Sequence, residues 1–495
     1  MCTQKKYKVL FASSEAVPFA KVGGLADVVS ALSKALNQKK QDVRIIIPKY
    51  RSVTECMKKY HIKAENIYKV DIEFNDTVYP FTIEEVSYQE NKFIFIDIPE
   101  FFDRDNPYID TTTGKDYNDN LKRYVIFNRA VLEACKVISW IPNIIHCHDW
   151  HMGLIPLFKK ALPEYSTVFH QTKTVFTIHN LSYQGVFSVD QYPSLGIDWK
   201  YFHVNGIEYY RHINLMKSGI VFSNAVNTVS KKYAEEIKTD GKGSGLEGII
   251  REKTKNGIFY GIMNGVDYTE WDPSVDCILK KKYSLLYNAD QLDRKAEIKK
   301  IFTKKNGIKI NKKTPLIGII TRLYDQKGMD IFLECIEKLL QDNIAFTILG
   351  TGKKEYEDKL TALSLQYPSL MDVMIGFDVD RSHEIEAASD IFLMPSRFEP
   401  SGLNQLYSLR YGTVPIVRKT GGLADSVTDG KTGFVFEEYH PEALLKTVFK
   451  AINIWRNNKP LWEKIVKTGI KEDWSWKRSA KGYLDMYNEV SSVPS

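Results

Sequence analysis

Short apolar runs alternate with longer amphipathic segments along the whole chain, and this alternation restricts the fold more than any other feature of the sequence. A short apolar run is typical of a buried strand. Apolar residues at helical spacing, such as Val28, Leu32 and Leu36, are typical of a helix with one buried face. Because strands that alternate with helices form parallel sheets covered by helices, we predict an α/β fold.

The predicted strands and helices are spread over both halves of the chain. In the first half, strands are predicted at residues 8–12, 43–47, 93–98, 144–147, 174–178 and 225–229. In the second half, they are predicted at residues 316–320, 345–349, 373–375, 391–394 and 414–417. Helices are predicted at residues 26–36, 329–340 and 404–411.

The length of the chain bears on its domain organisation. A chain of 495 residues is too long for a single core, and the shared rhythm of its halves predicts two Rossmann-like, doubly wound domains. Ligands of such sheets bind beyond the carboxyl ends of the strands, so we expect the domains to face each other across a cleft. We predict a first domain of residues 1–260 and a second of residues 261–472, with the boundary before Asn264-Gly265-Val266-Asp267.

Composition excludes several classes of protein. The formal charge of +7 comes from scattered lysines rather than a basic block, which argues against nucleic-acid binding. No apolar run approaches the roughly 20 residues that cross a bilayer, and residues 9–12 are too short a run for a signal peptide. We therefore expect a cytoplasmic protein without membrane association. The six cysteines include no CxxC pair, so neither disulfides nor a zinc site is predicted.

A pair of glycines follows the first predicted strand. Gly23 and Gly24 precede a predicted helix, and Lys21 stands two residues before them. Glycines at this point allow a ligand to approach the backbone and present free N–H groups to an anion. A glycine turn that only starts a helix is the alternative interpretation. The added lysine favours an anion-binding loop.

Two cations lie in a loop of the second half. Arg322 and Lys327 follow the strand predicted at residues 316–320 and precede a helix. A nucleoside diphosphate that leaves a sugar needs cationic stabilisation, and arginine can bind two phosphate oxygens at once. The alternative is a pair of solvated surface cations.

A carboxylate and a helix start lie close together after the strand predicted at residues 391–394. Glu399 stands just before Pro400, and Ser401 is predicted to cap the next helix. That cap would leave the backbone N–H groups of Gly402, Leu403 and Asn404 available to a phosphate. This segment therefore predicts one carboxylate for sugar hydroxyls and one helix terminus for phosphate.

Polar residues also end two strands of the first half. His146, His148 and Asp149 end one strand, and His179 and Asn180 follow another. Alternating histidines could bind a metal, but no third ligand stands at a convincing spacing, so no metal site is predicted. We interpret these strand ends as facing the cleft and binding sugar hydroxyls. The match of residues 243–248 to GxGxxG is dismissed because no apolar strand precedes it.

Taken together, these motifs resemble the bacterial and plant glycogen (starch) synthase family, glycosyltransferase family 5, from about residue 7 to about residue 488. The resemblance is carried by the segments at residues 21–27, 148–150, 178–180, 264–267, 322–328, 398–403 and 420–425. It implies a GT-B fold in which the last helix, within residues 473–495, returns to the first domain. It also implies retaining, metal-free transfer of glucose from ADP-glucose to the non-reducing end of glycogen or another α-1,4-glucan, with no cofactor.

The resemblance implies roles for residues of the first domain, which would contact mainly the acceptor and the sugar. Lys21 and Gly24 would contact the donor's phosphate and sugar. His179 and Asp149 would position the transferred glucose. Further residues implied on the acceptor or sugar side are Asp27, Asn180 and Asn264.

The second domain would bind mainly the nucleotide. Arg322 and Lys327 would neutralise the diphosphate, and Glu399 would hold sugar hydroxyls and the developing cationic centre. Gly376 and Phe377 would lie near the nucleoside. The family often has cysteine at the position of Ser401 and threonine at that of Asn404; both replacements keep a small or hydrogen-bonding group.

Other functions remain open at this point. A sucrose synthase-like or UDP-glucose-using GT-B enzyme, or a nucleotide-sugar epimerase, is the nearest alternative. Another alternative is a glucan-binding protein that has lost catalysis. The presence of Lys21, Arg322, Lys327 and Glu399 argues against it. A phosphorylase is not favoured, since no motif indicates a lysine bound to pyridoxal phosphate. The sequence makes no prediction of the oligomeric state.

Overall fold

The computed structural model describes residues 5–493, an α/β chain that divides into two compact units. The first unit contains the chain up to Val229, the segment Ala234–Ile262 and the chain from Trp476 onward. The second contains Ser230–Tyr233 and Met263–Ser475. Cys2 lies outside the described residues. No helix within residues 5–493 is long and apolar enough to cross a membrane.

The first unit is built on a nine-stranded sheet and a small three-stranded sheet. In chain order its strands are β1 (Lys8–Ala12), β2 (Asp42–Pro48), β3 (Asn66–Phe74), β4 (Thr77–Tyr88), β5 (Asn91–Asp97), β6 (Ile144–His148), β7 (Lys173–Ile178), β8 (Val186–Ser188), β9 (Glu208–Tyr209), β10 (His212–Asn214), β11 (Ala225–Thr228) and β12 (Ile258–Gly261).

The large sheet has the strand order β12-β11-β7-β6-β1-β2-β5-β4-β3, and all pairs are parallel except those made by β4. Strand β1 lies between β6 and β2, so the chain order reverses beside it. Its residues Val9, Leu10, Phe11 and Ala12 are all fully buried, because both faces of the sheet are covered.

The predicted strands of the first half are confirmed within one or two residues of their ends, but the antiparallel hairpin β3–β4 was missed. Along β3 only Ile72 and Phe74 are buried, and they stand two residues apart. A strand with one solvated face alternates in polarity rather than forming a continuous apolar run. The sequence of β3 therefore contains no continuous apolar run that would predict a strand.

Helices and short 3₁₀ turns connect these strands. The first unit and its boundary contain α1 (Gly24–Gln38), α2 (Arg51–Lys59), α3 (Pro99–Phe102), α4 (Asn120–Val137), α5 (Leu154–Ala161), α6 (Pro163–Ser166), α7 (Leu215–Phe222), α8 (Lys231–Glu236) and α9 (Glu247–Asn256). The 3₁₀ turns of this unit are Trp150–Met152, Val189–Leu195 and Trp199–Tyr201, and a further 3₁₀ turn, Asp325–Lys327, lies in the second unit.

The second unit contains one parallel six-stranded sheet. Its strands are β13 (Leu316–Ile320), β14 (Ala345–Gly350), β15 (Met371–Ile375), β16 (Ile391–Met394), β17 (Val414–Arg418) and β18 (Phe434–Phe436). The order β15-β14-β13-β16-β17-β18 is that of a Rossmann sheet, with the reversal between β13 and β16. The predicted strands are confirmed, and β18 was missed.

Both faces of this sheet are covered by helices. These are α10 (Cys277–Tyr283), α11 (Leu292–Lys305), α12 (Met329–Leu333), α13 (Ile336–Gln341), α14 (Lys354–Gln366), α15 (Val379–Ala388), α16 (Asn404–Tyr411), α17 (Gly421–Ser426), α18 (Pro441–Asn457) and α19 (Lys459–Lys471). Along β13, Leu316 packs in one hydrophobic cluster and Ile317 and Ile319 pack in another. The single helix predicted at residues 329–340 is wrong, since α12 and α13 are separate helices.

The last helix, α20 (Trp476–Ser492), belongs to the first unit. The Tyr7 hydroxyl donates a hydrogen bond of 2.8 Å to the Asn488 side chain, and the Tyr487 hydroxyl lies 2.7 Å from Nδ1 of His146. The residues just before this helix remain with the second unit, where Val266 N–H donates to the Trp474 carbonyl at 2.7 Å. The chain therefore returns to the first unit at Trp476.

Candidate active site

In the second unit, the candidate residues lie beyond the carboxyl ends of β13 and β16. These strands are neighbours at the reversal of chain order, where doubly wound sheets bind ligands. Arg322 and Lys327 follow β13, and Glu399 follows β16. Strand pairing thus brings together segments that are more than 70 residues apart in sequence.

Lys327 and Glu399 form an ion pair in this region. The Lys327 Nζ donates to Glu399 Oε2 at 2.5 Å, and the Ser396 hydroxyl donates to the same oxygen at 3.2 Å. The side chains are only 18% and 8% exposed, respectively, so water screens their attraction weakly. The pair presents a fixed positive and a fixed negative group side by side.

Gly328 allows this ion pair to form. Its φ of +77° lies in the left-handed region, and a Cβ atom there would lie 2.1 Å from the Pro395 carbonyl oxygen. Any larger residue would push the loop after β13 away from the loop after β16. The close approach of these loops therefore depends on glycine at this position.

Arg322 lies in the same loop but stands apart from the ion pair. Its side chain is exposed, and no carboxylate among residues 5–493 forms an ion pair with it. The nearby carboxylate of Asp325 is engaged instead by Lys353, at 2.6 Å, and by the Tyr356 hydroxyl. The Arg322 guanidinium is therefore free to bind an anion.

The predicted helix cap at Ser401 is wrong. Helix α16 begins at Asn404 with Leu403 as its cap residue, and no side chain caps it. The Ser401 carbonyl accepts a hydrogen bond from the Gln405 side chain at 2.9 Å, while Asn404 donates its side-chain N–H to the Ile320 carbonyl at 2.7 Å. Residues 401–403 thus form an irregular turn, with φ of +69° at Gly402, rather than the first turn of the helix.

A second glycine pair packs against this turn. The backbone N–H of Gly422 donates to the Glu399 carbonyl at 3.1 Å. Gly421 has a φ of +44°, and a Cβ atom there would lie 1.9 Å from the same carbonyl oxygen. The segment at residues 420–422 thereby fixes the backbone of Glu399.

In the first unit, the glycine loop after β1 is held by a carboxylate that sequence reasoning missed. Glu15 is buried, and its Oε2 accepts hydrogen bonds from the backbone N–H groups of Val22 and Gly23, the latter at 2.9 Å. The Tyr108 hydroxyl donates to the other carboxylate oxygen. The expectation that the loop offers free N–H groups is therefore wrong for Gly23. Helix α1 begins at Gly24, with no side chain capping it.

Lys21 and Asp27 form an ion pair of 2.7 Å beside this loop. Their side chains are 41% and 32% exposed. Burial raises the pKa of Asp27, against the opposing effect of Lys21. Burial also raises the pKa of Glu15, despite its hydrogen bonds from Tyr108 and the loop backbone. The signal for Glu15 in the sequence was its place between β1 and the glycine loop.

Asp149 follows β6 with a φ of 58°, a left-handed conformation that costs a non-glycine residue about 1–3 kcal/mol. Its Oδ1 accepts a hydrogen bond of 2.8 Å from the backbone N–H of His179, which follows β7. Burial raises the pKa of Asp149 to about 7, although the backbone N–H groups of His179 and Asn180 oppose that shift. Asp149 therefore orders the turn that carries His179 and Asn180.

The histidines of this region pair with one another. His148 Nδ1 lies 3.0 Å from His179 Nε2. His146 and His148 are fully buried, so the expectation that they face a cleft is wrong for both. His146 is bound by Thr177 and Tyr487 inside the unit. Within the described part of the chain, no group of three or more His, Cys, Asp and Glu could hold a metal ion.

The remaining candidate residues are dispersed. The Asn180 side chain accepts a hydrogen bond from Ser182 N–H at 3.1 Å, which closes a turn after β7. Asn264 belongs to the second unit and is buried, with Oδ1 lacking a hydrogen-bond partner. Gly376 and Phe377 follow β15, and the Phe377 side chain is 73% exposed.

Comparison with known families matches both parts of the chain. The family model described as the starch synthase catalytic domain matches residues 8–252. The model described as glycosyl transferases group 1 matches residues 300–471.

Full-length relatives are similar along almost the whole chain. The glycogen synthase of Koribacter versatilis is 41% identical over 98% of both chains. That of Pseudothermotoga lettingae is 40% identical over 98% of this chain and 99% of its own.

Solved structures match as well. The catalytic domain of starch synthase IV from Arabidopsis thaliana, bound to ADP and acarbose, has a TM-score of 0.89 and 32% identity, covering 99% of this chain and all of that one. Sucrose-phosphate synthase from Thermosynechococcus elongatus has a TM-score of 0.60, covering 98% of this chain and 99% of its own. At 14% identity, the second likeness concerns the fold alone.

Proposed function

This chain belongs to the glycogen and starch synthase family of GT-B glycosyltransferases, and from this premise we propose how its residues transfer glucose to an α-1,4-glucan. The enzyme is a hexosyltransferase of glycogen or starch synthesis. The donor proposed is ADP-glucose, the acceptor is the non-reducing end of glycogen, and the configuration at the transferred carbon is retained. The ADP and acarbose bound to the Arabidopsis relative support a nucleotide donor and a glucan acceptor.

The observation that carries the proposal is the Lys327–Glu399 ion pair at the reversal of the second sheet, with Arg322, which no described carboxylate pairs, in the same loop as Lys327. As the bond between glucose and diphosphate breaks, negative charge builds on the phosphate and positive charge builds on the sugar. Groups held in place for both charges stabilise the transition state without first reorganising. Lys327 and Arg322 would serve the phosphate, and Glu399 would serve the sugar.

Glu399 can bind the sugar while it holds Lys327. Both of its described hydrogen bonds, from Lys327 and Ser396, go to Oε2. Its Oε1 is thus left to accept hydrogen bonds from donor hydroxyls. The irregular turn Ser401, Gly402 and Leu403, followed by Asn404, would place backbone N–H groups near the phosphates.

Residues of the first unit would hold the sugar and the acceptor. Lys21 and the start of helix α1 at Gly24 would contact the donor's phosphate and sugar. Asp149 would fix the turn on which His179 contacts the transferred glucose. Residues proposed on the acceptor or sugar side are Asp27, Asn180 and Asn264, and those proposed near the nucleoside are Gly376 and Phe377.

The proposal is tested by donor choice. Purified enzyme is given glycogen with labelled ADP-glucose or UDP-glucose, each with and without EDTA, and label in the polymer is counted. We expect faster incorporation from ADP-glucose, no loss with EDTA, and product that β-amylase degrades to maltose. Faster incorporation from UDP-glucose would overturn the donor assignment, and a need for added magnesium would overturn the metal-free site.

A further inference from the structure

A buried histidine stands behind the histidine proposed to contact glucose. The His148 side chain has no exposed surface, and its Nδ1 lies 3.0 Å from Nε2 of His179. The Phe11 ring meets the His148 ring edge to face, with a centroid distance of 5.1 Å. The other ring nitrogen of His148, Nε2, is buried and has no hydrogen-bond partner in the described chain.

The unpartnered nitrogen decides which tautomer His148 adopts. One of the two nitrogens between the rings must donate and the other must accept. If His148 carried its proton on Nε2, a buried N–H donor would be left without an acceptor, a situation that folded proteins rarely tolerate. With the proton on Nδ1, only a lone pair is left without a partner. His148 is therefore the donor, and His179 Nε2 is the acceptor.

His146 shows that tautomers in this cluster are set individually. The Thr177 hydroxyl donates its one proton to the Asn227 side-chain oxygen at 2.7 Å, so it accepts from His146 Nε2–H at 2.5 Å. The His146 Nδ1 then accepts from the Tyr487 hydroxyl. His146 stacks on His148 at a centroid distance of 4.4 Å, yet the two rings hold their protons on different nitrogens.

The cluster remains uncharged under ordinary conditions. Burial lowers the pKa of His146 and of His179 to about 3, and it lowers the pKa of His148 well below the usual value. Each ring therefore carries a single proton, so the tautomer argument applies across the neutral range.

We propose that His148 is a positioning residue that fixes His179 in the tautomer with its proton on Nδ1. A neutral His179 whose Nε2 accepts from His148 can carry its one proton only on Nδ1. That N–H has no acceptor among the described residues. It is thus available to donate to an oxygen of the bound sugar. This inference rests on the proposed role of His179 but makes a claim about the free protein.

The first test reads the tautomer directly in the enzyme without substrate. Protein labelled with ¹⁵N-histidine is observed by long-range ¹H–¹⁵N correlation, and the His179 signals are identified by their absence in His179→Gln. We expect the pattern of a neutral ring protonated on Nδ1. A His179 ring protonated on Nε2 would overturn the proposal. The result does not depend on activity, so it stands apart from any failure of the proposed function.

The second test uses a matched pair of substitutions. His148→Gln keeps an N–H donor toward His179, whereas His148→Met keeps a similar size without a donor. We expect kcat/KM for the donor sugar to fall about 10- to 100-fold in His148→Met, by analogy with the loss of a hydrogen-bond partner that orients a metal-bound histidine. We expect His148→Gln to recover most of that loss.

The controls separate positioning from stability. His146→Gln disturbs the same buried stack without touching His179, and we expect it to lower the melting temperature while His179 keeps its proton on Nδ1. Unchanged kcat/KM in a folded His148→Met would overturn the proposal. Equal losses in the Met and Gln variants would do the same. If the Met variant does not fold, the tautomers of His179 in the wild-type and Gln proteins decide the matter.

Discussion

In the first unit, the region beyond β6 and β7 is occupied mainly by neutral hydrogen-bonding groups, whereas the region beyond β13 and β16 of the second unit carries full charges. His146 and His148 are fully buried and His179 is half-buried, and desolvation lowers the pKa of each ring enough for all three to remain uncharged. Lys327 Nζ and Glu399 Oε2 form an ion pair of 2.5 Å, and Arg322, in the same loop as Lys327, has no carboxylate partner among residues 5–493. Both regions lie at the carboxyl ends of parallel strands.

In the proposed function, this difference divides sugar binding and phosphate binding between two similar sheets. A sugar is recognised through hydroxyl groups, which neutral donors and acceptors bind without a charge being buried. A leaving diphosphate gains charge during the reaction, and fixed charges stabilise it best. The same sheet position therefore provides either kind of site, depending on the side chains that follow the strands.

Lys327→Ala should lower kcat more than any of the other substitutions proposed below. The substitution removes a cation from the proposed phosphate site and leaves the mostly buried Glu399 carboxylate without its partner. We expect kcat to fall by about 10²- to 10³-fold. Lys359→Ala, on an exposed helix of the same unit, is the control and should behave like the wild type. Near-normal turnover of Lys327→Ala would show that the charged site is elsewhere.

Glu399→Gln should produce the second-largest fall in kcat. Glutamine keeps the shape and can still bind hydroxyls, but it removes the negative charge that faces the developing cation. We expect kcat to fall about 100-fold, with the KM for ADP-glucose little changed, as for an interaction made mainly in the transition state. The control is Glu437→Gln, at an exposed surface pair. Wild-type melting with kcat within about twofold would contradict the role of Glu399.

Arg322→Ala should have a smaller effect because this side chain is exposed and water screens its charge. We expect kcat to fall by about 10- to 100-fold, below the loss for a buried charge. The ratio of the kcat loss in Lys327→Ala to that in Arg322→Ala thus measures how much burial strengthens the effect of a cation at this site. Steady-state kinetics at low and high salt would check this, since the Arg322 contribution should shrink as salt rises. A salt-independent loss would contradict the argument.

Protonation of Asp149, in the first unit, should make kcat/KM depend on pH. With its pKa at about 7, the carboxyl is neutral at lower pH and becomes the better hydrogen-bond acceptor only above that value. We expect kcat/KM to fall about tenfold per pH unit below about 7. In Asp149→Asn this inflection should disappear, leaving a lower, flat profile. An unchanged inflection in the variant would assign the titration to another group.

The last expected effect is on stability in acid rather than on activity. A histidine that stays neutral when folded but protonates near 6.5 when unfolded stabilises the fold above 6.5, and this contribution is lost as the pH falls. Each such group lowers the free energy of unfolding by about 1.4 kcal/mol for each pH unit between its unfolded and folded pKa values. Four histidines of the first unit behave this way: His146, His148, His151 and His179. Carboxyls with a raised pKa act in the opposite direction, and the first unit has three of them: Glu15, Asp27 and Asp149. Because the histidines are more numerous, we expect the first unit to lose stability as the pH falls.

The second unit should respond differently. Burial raises the pKa of Glu386 to about 8, so this group favours the folded state as the pH falls from 6.5 to 5. Amide hydrogen exchange at pH 6.5 and 5.0, corrected for the intrinsic rate, should show the first unit losing more protection than the second. Equal losses in both units would contradict the contrast between them.

The sequence alone determined the parallel strands and the loops that follow them. Strands such as β1 and β13 are continuous apolar runs, because both of their faces are buried, so their pattern is local and visible. The charged residues Arg322, Lys327 and Glu399 were found for the same reason, since each lies in the loop that follows such a run.

Only the tertiary structure decided how these segments meet. Helix α16 begins at the predicted residue, Asn404, but Ser401 does not cap it, because Gln405 and the distant strand β13 provide the hydrogen bonds of that turn. The N–H of Gly23 was occupied by Glu15, and His146 was enclosed by Tyr487 of the last helix, 341 residues away. Hydrogen bonds and burial depend on which groups are close in space, and spacing along the chain does not reveal that for residues so far apart.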